Sequence, residues 1–140
     1  MVSLVGDYHN FTQAVRRVIT SDGLEFFEKP RPLFWEWLFF GYSSPLKKYF
    51  SGWDNSIFNL KIEFTDDQFH GRVKKVLEQN ASKLSKQEIY NFGFLLGYCY
   101  AFGIQDLHKE NILRTAQGIQ VIDVETVFAK FVLPNETLLL

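Results

Sequence analysis

The chain has 140 residues, 46% hydrophobic and 22% charged, with a formal net charge of −1. That is the length of one domain and an ordinary globular composition, which excludes a disordered chain. Its cations form only short pairs, at Arg16-Arg17, Lys47-Lys48 and Lys74-Lys75, so no basic stripe marks a nucleic-acid partner.

Fifteen Phe and three Trp supply enough buried area for a core at this size. The single cysteine, Cys99, stands in an apolar stretch and excludes an intrachain disulfide or a cysteine zinc site. It reads as a buried thiol in a reducing, cytoplasmic setting. The N-terminus has no basic region followed by an apolar run, so no signal peptide is expected. The longest apolar run, 33–42, is interrupted by Glu36 and is too short to span a bilayer.

In chain order, Val15 to Thr20 and Leu24 to Lys29 flank Ser21-Asp22-Gly23. Asp-Gly is a strong hairpin signal, because the glycine takes positive φ cheaply. Residues 13–29 therefore read as a β-hairpin, ended by Pro30 and Pro32. Leu33 to Phe40 reads as a short helix with apolar residues on nearly all faces, which predicts burial or a partner segment. Asn59 to Phe64 is a candidate strand. Thr65-Asp66-Asp67-Gln68 fits a capping box, and Phe69, Val73, Val76 and Leu77 follow at helical spacing. This predicts a helix over 66–80, with His70 on its solvated side. A second capping box, Ser85 to Glu88, opens a helix to about 102, with Ile89, Phe92, Leu96 and Tyr100 as its marked face. Ile112 to Arg114 and Ile119 to Ile122 flank a glycine-ended turn and read as a second hairpin.

The chemistry concentrates after the long helix. A loop holds Asp106, His108 and Asn111, and the last strand leads into Asp123 and Glu125. Strand alternation puts Val121, Asp123 and Glu125 on one face if the strand continues. Hard cations such as Mg²⁺ take one or two carboxylates, an amide oxygen and phosphate oxygens. Asn111, Asp123 and Glu125 supply such a set. In kinases a catalytic aspartate stands five residues before the metal-binding asparagine. Asp106 stands five before Asn111, and Asp123 follows Asn111 by twelve. Lys29, ahead of the helix carrying Glu36, is the candidate phosphate-binding lysine, and a Lys29–Glu36 ion pair would imitate the strand-lysine to helix-glutamate pair of kinases.

Four segments then resemble the dehydratase domain of type 2 lanthipeptide synthetases. Asp106-Leu107-His108-Lys109-Glu110-Asn111 resembles their D-L-H-x-E-N, and Ile122-Asp123-Val124-Glu125-Thr126 resembles their I-D-L-E-T. Gly6-Asp7-Tyr8-His9-Asn10 resembles G-D-x-H-N, and Lys29-Pro30-Arg31 resembles K-P-R. Residues 43–84 match nothing comparable. The resemblance implies an α+β, protein-kinase-like core, β-rich over 1–64, with helices, catalytic loop and metal-binding hairpin over 65–140. It implies ATP and Mg²⁺ as cofactors and Ser or Thr of a protein or peptide as phosphoryl acceptor. Asp106 is the catalytic aspartate in that reading, with His108 beside it. Lys29, Asp7 and His9 line the nucleotide site, and Asn111, Asp123 and Glu125 face the metal.

Two departures shape the expectation. Phe11-Thr12 replace the glycines that follow G-D-x-H-N, which makes a phosphate-approaching loop bulkier. The residues that drive phosphate elimination, and a cyclase domain, have no counterpart, so a minimal or truncated kinase without elimination is expected. The competing readings are a non-catalytic pseudokinase-like module, or a fragment of a larger lanthipeptide synthetase-like enzyme. Asp106 and His108 alone fit backbone caps of a tight loop, Lys29 a solvated strand end, and Asp7 and His9 surface turns. An aminoglycoside-type kinase is disfavoured by Ile104, where a histidine is usual. A partner chain or segment is expected to dock on the 33–42 region and on Leu138-Leu139-Leu140.

Overall fold

The computed structural model describes residues 2–4, 14–50, 57–67, 69–79 and 83–128. Asp7, His9, Phe11-Thr12 and Leu138-Leu139-Leu140 lie outside the described residues.

Five antiparallel strands form the main sheet: β1 (Val2–Leu4), β2 (Arg16–Ile19), β3 (Glu25–Lys29), β4 (Ile62–Phe64) and β5 (Gly71–Lys74), in the order β1-β2-β3-β5-β4. Between β3 and β4 run helix α1 (Phe34–Phe40) and a 3₁₀ turn at Pro45–Phe50. Helix α2 (Lys86–Ala101) follows, then a separate hairpin of β6 (Ile112–Thr115) and β7 (Gly118–Val121). The fold is α+β.

The first hairpin forms as its turn dictates. Gly23 takes φ +81°, and β2 and β3 pair with Arg16 opposite Glu28. α2 starts at the expected capping box: Ser85 accepts from the Glu88 N–H, and the Glu88 carboxylate accepts from the Ser85 N–H. Gly103, in the left-handed region at φ +58°, follows its end.

Where a helix is expected over 66–80, the chain instead runs back along β4 as the strand β5. Asp67 Oδ1 accepts from the N–H groups of Phe69 and His70, both at 2.9 Å, and its Oδ2 lies 2.6 Å from His70 Nδ1. An aspartate bonding to the backbone just ahead of it makes a turn, not a helix cap. His70 thus sits at a hairpin turn. The sheet extends past residue 64, so the expected boundary at 64/65 cuts the β4–β5 pair.

Gly71 enforces the close strand contact. A Cβ there would meet Glu63 O at 2.2 Å and Phe64 Cα at 2.9 Å, both backbone atoms that cannot swing aside. Gly71→Ala is expected to destabilise the fold by about 1–3 kcal/mol, read as a lower urea midpoint. An unchanged midpoint would show that the two strands are not so closely apposed.

α2 turns a different face inward from the one expected. Asn91, Leu95, Tyr98 and Cys99 are buried, while Ile89, Leu96 and Tyr100 are exposed. Both sets recur at helical spacing, so periodicity alone could not choose between them. The choice is made by an aromatic cluster: Phe39, Phe40, Phe50, Phe58 and Phe102 surround the Tyr98 ring. The Tyr98 hydroxyl donates to Phe39 O at 3.0 Å, so its one polar atom is satisfied inside the core. Cys99 is fully buried, as expected, and burial pushes its thiol up to about 12, where it is unreactive. Phe39 and Phe40 make α1 part of this core. Among the described residues, no helix is long and apolar enough to cross a membrane.

The hairpin β6–β7 is joined to the rest through Arg114. Arg114 of β6 grips Glu88 at the start of α2, with Nε–Oε1 at 2.6 Å and Nη2–Oε2 at 2.9 Å. The segment following β5 reaches it too, through Gln79 N–H to Arg114 O at 2.8 Å. These ties hold the hairpin beside the sheet, with a cleft between the two.

Candidate functional site

Lys29 ends β3, and Pro30 stops the ladder there. The backbone then turns toward α1, and Arg31 follows. Both cations reach the same two carboxylates. Lys29 Nζ lies 2.9 Å from Glu36 Oε1 and 2.6 Å from Asp123 Oδ1. Arg31 Nη2 lies 2.6 Å from the same Asp123 oxygen and 3.0 Å from Glu36 Oε2. The latter contact is ionic only, since Glu36 Oε2 makes no hydrogen bond. Arg31 Nε adds Glu125 at 3.3 Å, and Nη1 donates to Val124 O at 3.2 Å.

Glu36 is fully buried and is the hub of this network. Its Oε1 also accepts from the Asp123 N–H at 3.0 Å. A buried charge persists only when paired and hydrogen-bonded. The glutamate that interrupts the apolar run of α1 is therefore explained by the two cations it meets. Three carboxylates (Glu36, Asp123, Glu125) face two cations (Lys29, Arg31), leaving one negative charge in excess.

β7 ends at Val121, so the strand does not carry Asp123 and Glu125 onward as expected. Asp123 has φ +60° instead. That left-handed turn after Ile122 aims the Asp123 side chain at Lys29 and Arg31. Asp123 is half-exposed. Partial burial disfavours its charge, but Lys29 and then Arg31 outweigh this and hold its pKa down at about 2, from 3.8. A depressed carboxylate stabilises the fold fully above its unfolded pKa and loses that contribution as the folded pKa is passed. Stability is therefore expected to fall between about pH 4 and pH 2 as Asp123 protonates. Its ¹³C carboxyl titration should show a midpoint well under 3.8, moving up in Lys29→Met. Equal midpoints in parent and variant would remove the ion pair from the account.

The second half of the site is the 104–111 loop. Asp106 also takes a left-handed conformation, φ +64°. Asn111 is buried and binds back across the loop: Nδ2 donates to Asp106 O at 3.0 Å and approaches Asp106 Oδ2 at 3.4 Å and His108 Nε2 at 3.1 Å. The His108 contact is a hydrogen bond only when Nε2 is unprotonated. Nδ2 is thus committed to the loop, and Oδ1 is the Asn111 atom suited to a cation. Asp106 and His108 remain about half-exposed, with 3.5 Å between Oδ1 and Nε2.

Backbone bonds lay this loop alongside the Asp123 segment. Phe128 N–H donates to Phe102 O at 2.8 Å, Gln105 N–H to Thr126 O at 3.1 Å, and Ile122 N–H to Asn111 O at 2.8 Å. The structure thus gathers Lys29, Asp123 and Glu125 around Arg31 and Glu36, and gathers Asp106, His108 and Asn111 in the adjoining loop. It does not bring the side chains of Asn111, Asp123 and Glu125 onto one hydrogen-bonded point. Among the described residues, no three His, Cys, Asp or Glu side chains form a group able to hold a metal. A cation placed here would take one carboxylate, the amide oxygen of Asn111 and ligand oxygens, as Mg²⁺ sites commonly do.

A cavity of about 340 Å³ opens between the sheet and the second hairpin. Val15, Phe27, Val73, Val76, Leu113 and Ile122 give it apolar walls, and Lys29 and Asp123 also line it. That size and that mix of apolar wall and few polar groups suit a small-molecule ligand.

Arg31 was not among the site residues expected from the sequence. The signal was present: Lys29 and Arg31 flank a proline that ends a strand, and an isolated Glu follows inside an apolar helix.

An α+β domain with a charged cluster at the mouth of an apolar cleft is the class this geometry defines. The chain belongs to the family described as Domain of unknown function (DUF4135), whose model matches residues 2–138, a domain found in lanthipeptide synthetase-type proteins. No curated protein and no solved structure matches the chain.

Proposed function

We propose that the cleft is an ATP·Mg²⁺ phosphotransfer site of the protein-kinase type, acting on a hydroxyl, with Ser or Thr of a protein or peptide as the acceptor. The observation that carries this reading is the Lys29–Glu36 ion pair, strand to helix, with Asp123 on the same lysine. Protein kinases place a β3 lysine against a helix glutamate in this way and set a metal-binding aspartate beside them. The five-stranded antiparallel sheet with a helix between its third and fourth strands is consistent with a kinase-like core.

The roles follow from the chemistry of each group. Lys29 presents a point charge to the non-transferred phosphates. Asp123 and the Asn111 amide are the hard-oxygen donors for Mg²⁺, with Glu125 beside them. Bound Mg·ATP supplies the phosphoryl group and neutralises its developing charge. Asp106, half-exposed beside the cleft, orients the acceptor hydroxyl and takes its proton. His108 and Asn111 hold that loop in shape. Asp106 and Asp123 both adopt positive φ, a costly conformation that concentrates at functional sites.

A second reading is favoured by one contact: Asp123 Oδ1 already carries both Lys29 and Arg31. A site locked in this pairing would be a non-catalytic binding module. Radiolabelled ATP with Mg²⁺ and a Ser/Thr peptide mixture separates the two. Label transfer that depends on Asp106 supports the enzyme, and its absence, together with no thermal stabilisation by Mg·ATP, overturns it.

A further inference from the structure

A second cavity, of about 360 Å³, shares Lys74, Lys75 and Val76 with the first but opens among Tyr42, Lys61, Gln117 and Gln120. No Asp or Glu lines it. Lys75 pairs with Glu25 at 3.0 Å, whereas Lys61 and Lys74 have no described carboxylate within ion-pair distance, Lys74 acting on Asp22 only from farther off. Lys47 Nζ stands 4.4 Å over the ring of Tyr42, which lines the cavity.

The wall of this cavity contains an unexplained group. Gln120, on β7, is 3% exposed, and its Nε2 hydrogen bonds to nothing. A buried amide N–H without an acceptor carries an uncompensated desolvation cost, and such a group calls for an explanation. Every polar group singled out here points to the same complement. The lysines offer only donors, and the Gln120 amide lacks only an acceptor. A ligand that supplies acceptors and negative charge complements the lysines directly, and the Gln120 amide once its side chain turns into the cavity.

We propose that this cavity binds an oxyanion, a phosphate or a carboxylate group, held by Lys61, Lys74 and the Gln120 amide. Lysine ammoniums serve as point charges for such groups, and a site without carboxylates does not repel them. The site is independent of the phosphotransfer reading, because neither Lys29 nor Asp123 lines it.

The test follows the Gln120 side-chain amide in ¹H–¹⁵N spectra of the 140-residue chain. Inorganic phosphate and, separately, acetate are titrated at ionic strength held constant with sodium chloride. A saturable shift of that amide is expected, and the tighter of the two anions identifies a phosphate or a carboxylate ligand. Lys61→Gln and Gln120→Leu are each expected to weaken binding about tenfold, the loss of one charge-assisted hydrogen bond. Lys29→Met is expected to leave it unchanged. Should Gln120→Leu fail to fold, Lys61→Gln decides, because that side chain is on the surface. A Gln120 amide unmoved by both anions, parental affinity in Lys61→Gln, or binding lost only in Lys29→Met would each overturn the proposal.

Discussion

Asp106→Asn is expected to lower phosphoryl transfer by about 10²–10⁴-fold, the usual contribution of a positioned general base. The proposed site gives Asp106 contact with the acceptor hydroxyl and none with the nucleotide. Mg·ATP affinity should therefore stay within a few-fold of the parent, with the loss confined to turnover. Asparagine is the right replacement for a conformational reason. Asp106 sits at φ +64°, a region that asparagine and aspartate tolerate better than other side chains with a Cβ. Asn also keeps a side-chain oxygen for the 3.4 Å contact with Asn111 Nδ2. Alanine would confuse loss of the carboxylate with strain in the loop.

The complementary variant is Asp123→Asn, also at positive φ. It should lose Mg·ATP binding and turnover together, because in the proposed site the altered group is the cation's ligand as well as a partner of Lys29. Initial rates with radiolabelled ATP, paired with nucleotide titrations, separate the two patterns. Equal loss of affinity in both variants would place Asp106 in the nucleotide site instead of at the acceptor, and undiminished transfer in Asp106→Asn would remove it from the chemistry.

Much of the candidate site was legible because it rests on short-range signals. The spacing from Asp106 to Asn111 lies within one loop, and Asp123 follows one tight hairpin whose turn residues are explicit. Lys29 and Glu36 are seven residues apart across a strand end and a helix start, so their pairing could be anticipated by position. Arg31 was missed because its value depends on Asp123, 92 positions away. The local cue, two cations flanking a strand-ending proline ahead of an isolated helix glutamate, does not by itself separate it from a solvated arginine.

The fold was misread where two local signals competed. Over 65–76, a Thr-Asp-Asp start and apolar residues at helical spacing favoured a helix, while Asp67 and Gly71 fitted a turn and a strand contact equally well. Tertiary pairing decided it: Phe26 to Lys29 of β3 sit opposite Gly71 to Lys74, and only an extended β5 supplies that ladder. In α2 the error was one of facing. Apolar residues occupy two stripes of the helix, and the Tyr98 stripe is buried because Phe39 and Phe40 of α1 are there to meet it. Such choices depend on contacts between distant segments, which a period count does not see.

Removing the hub carboxylate, Glu36→Ala, is expected to destabilise the chain by about 3–5 kcal/mol, the typical result of breaking a buried ion pair by deleting one partner. The cost comes from the cations that are left behind. Lys29 and Arg31 are largely buried, with side chains 10% and 13% exposed. Without Glu36 they share one buried-side partner, the half-exposed Asp123, and the Asp123 N–H loses its acceptor as well. A loss of that size is a large fraction of the roughly 5–15 kcal/mol that holds a domain of this kind together. Glu36→Gln keeps the side-chain shape and an oxygen for the Asp123 N–H, so it should lose less, isolating the charge. The Lys29→Met/Glu36→Ala double variant should be less destabilised than the sum of the singles, since groups in one network couple by about 0.5–3 kcal/mol. Urea unfolding of the parent, the three singles and the double variant measures all of this. Strict additivity, or a Glu36→Ala loss below about 1 kcal/mol, the range of an exposed pair, would mean that Lys29 and Glu36 do not meet in the folded chain. Because the measurement reads stability alone, it tests the strand-to-helix pair without assuming any reaction, and the phosphotransfer reading stands on that pair.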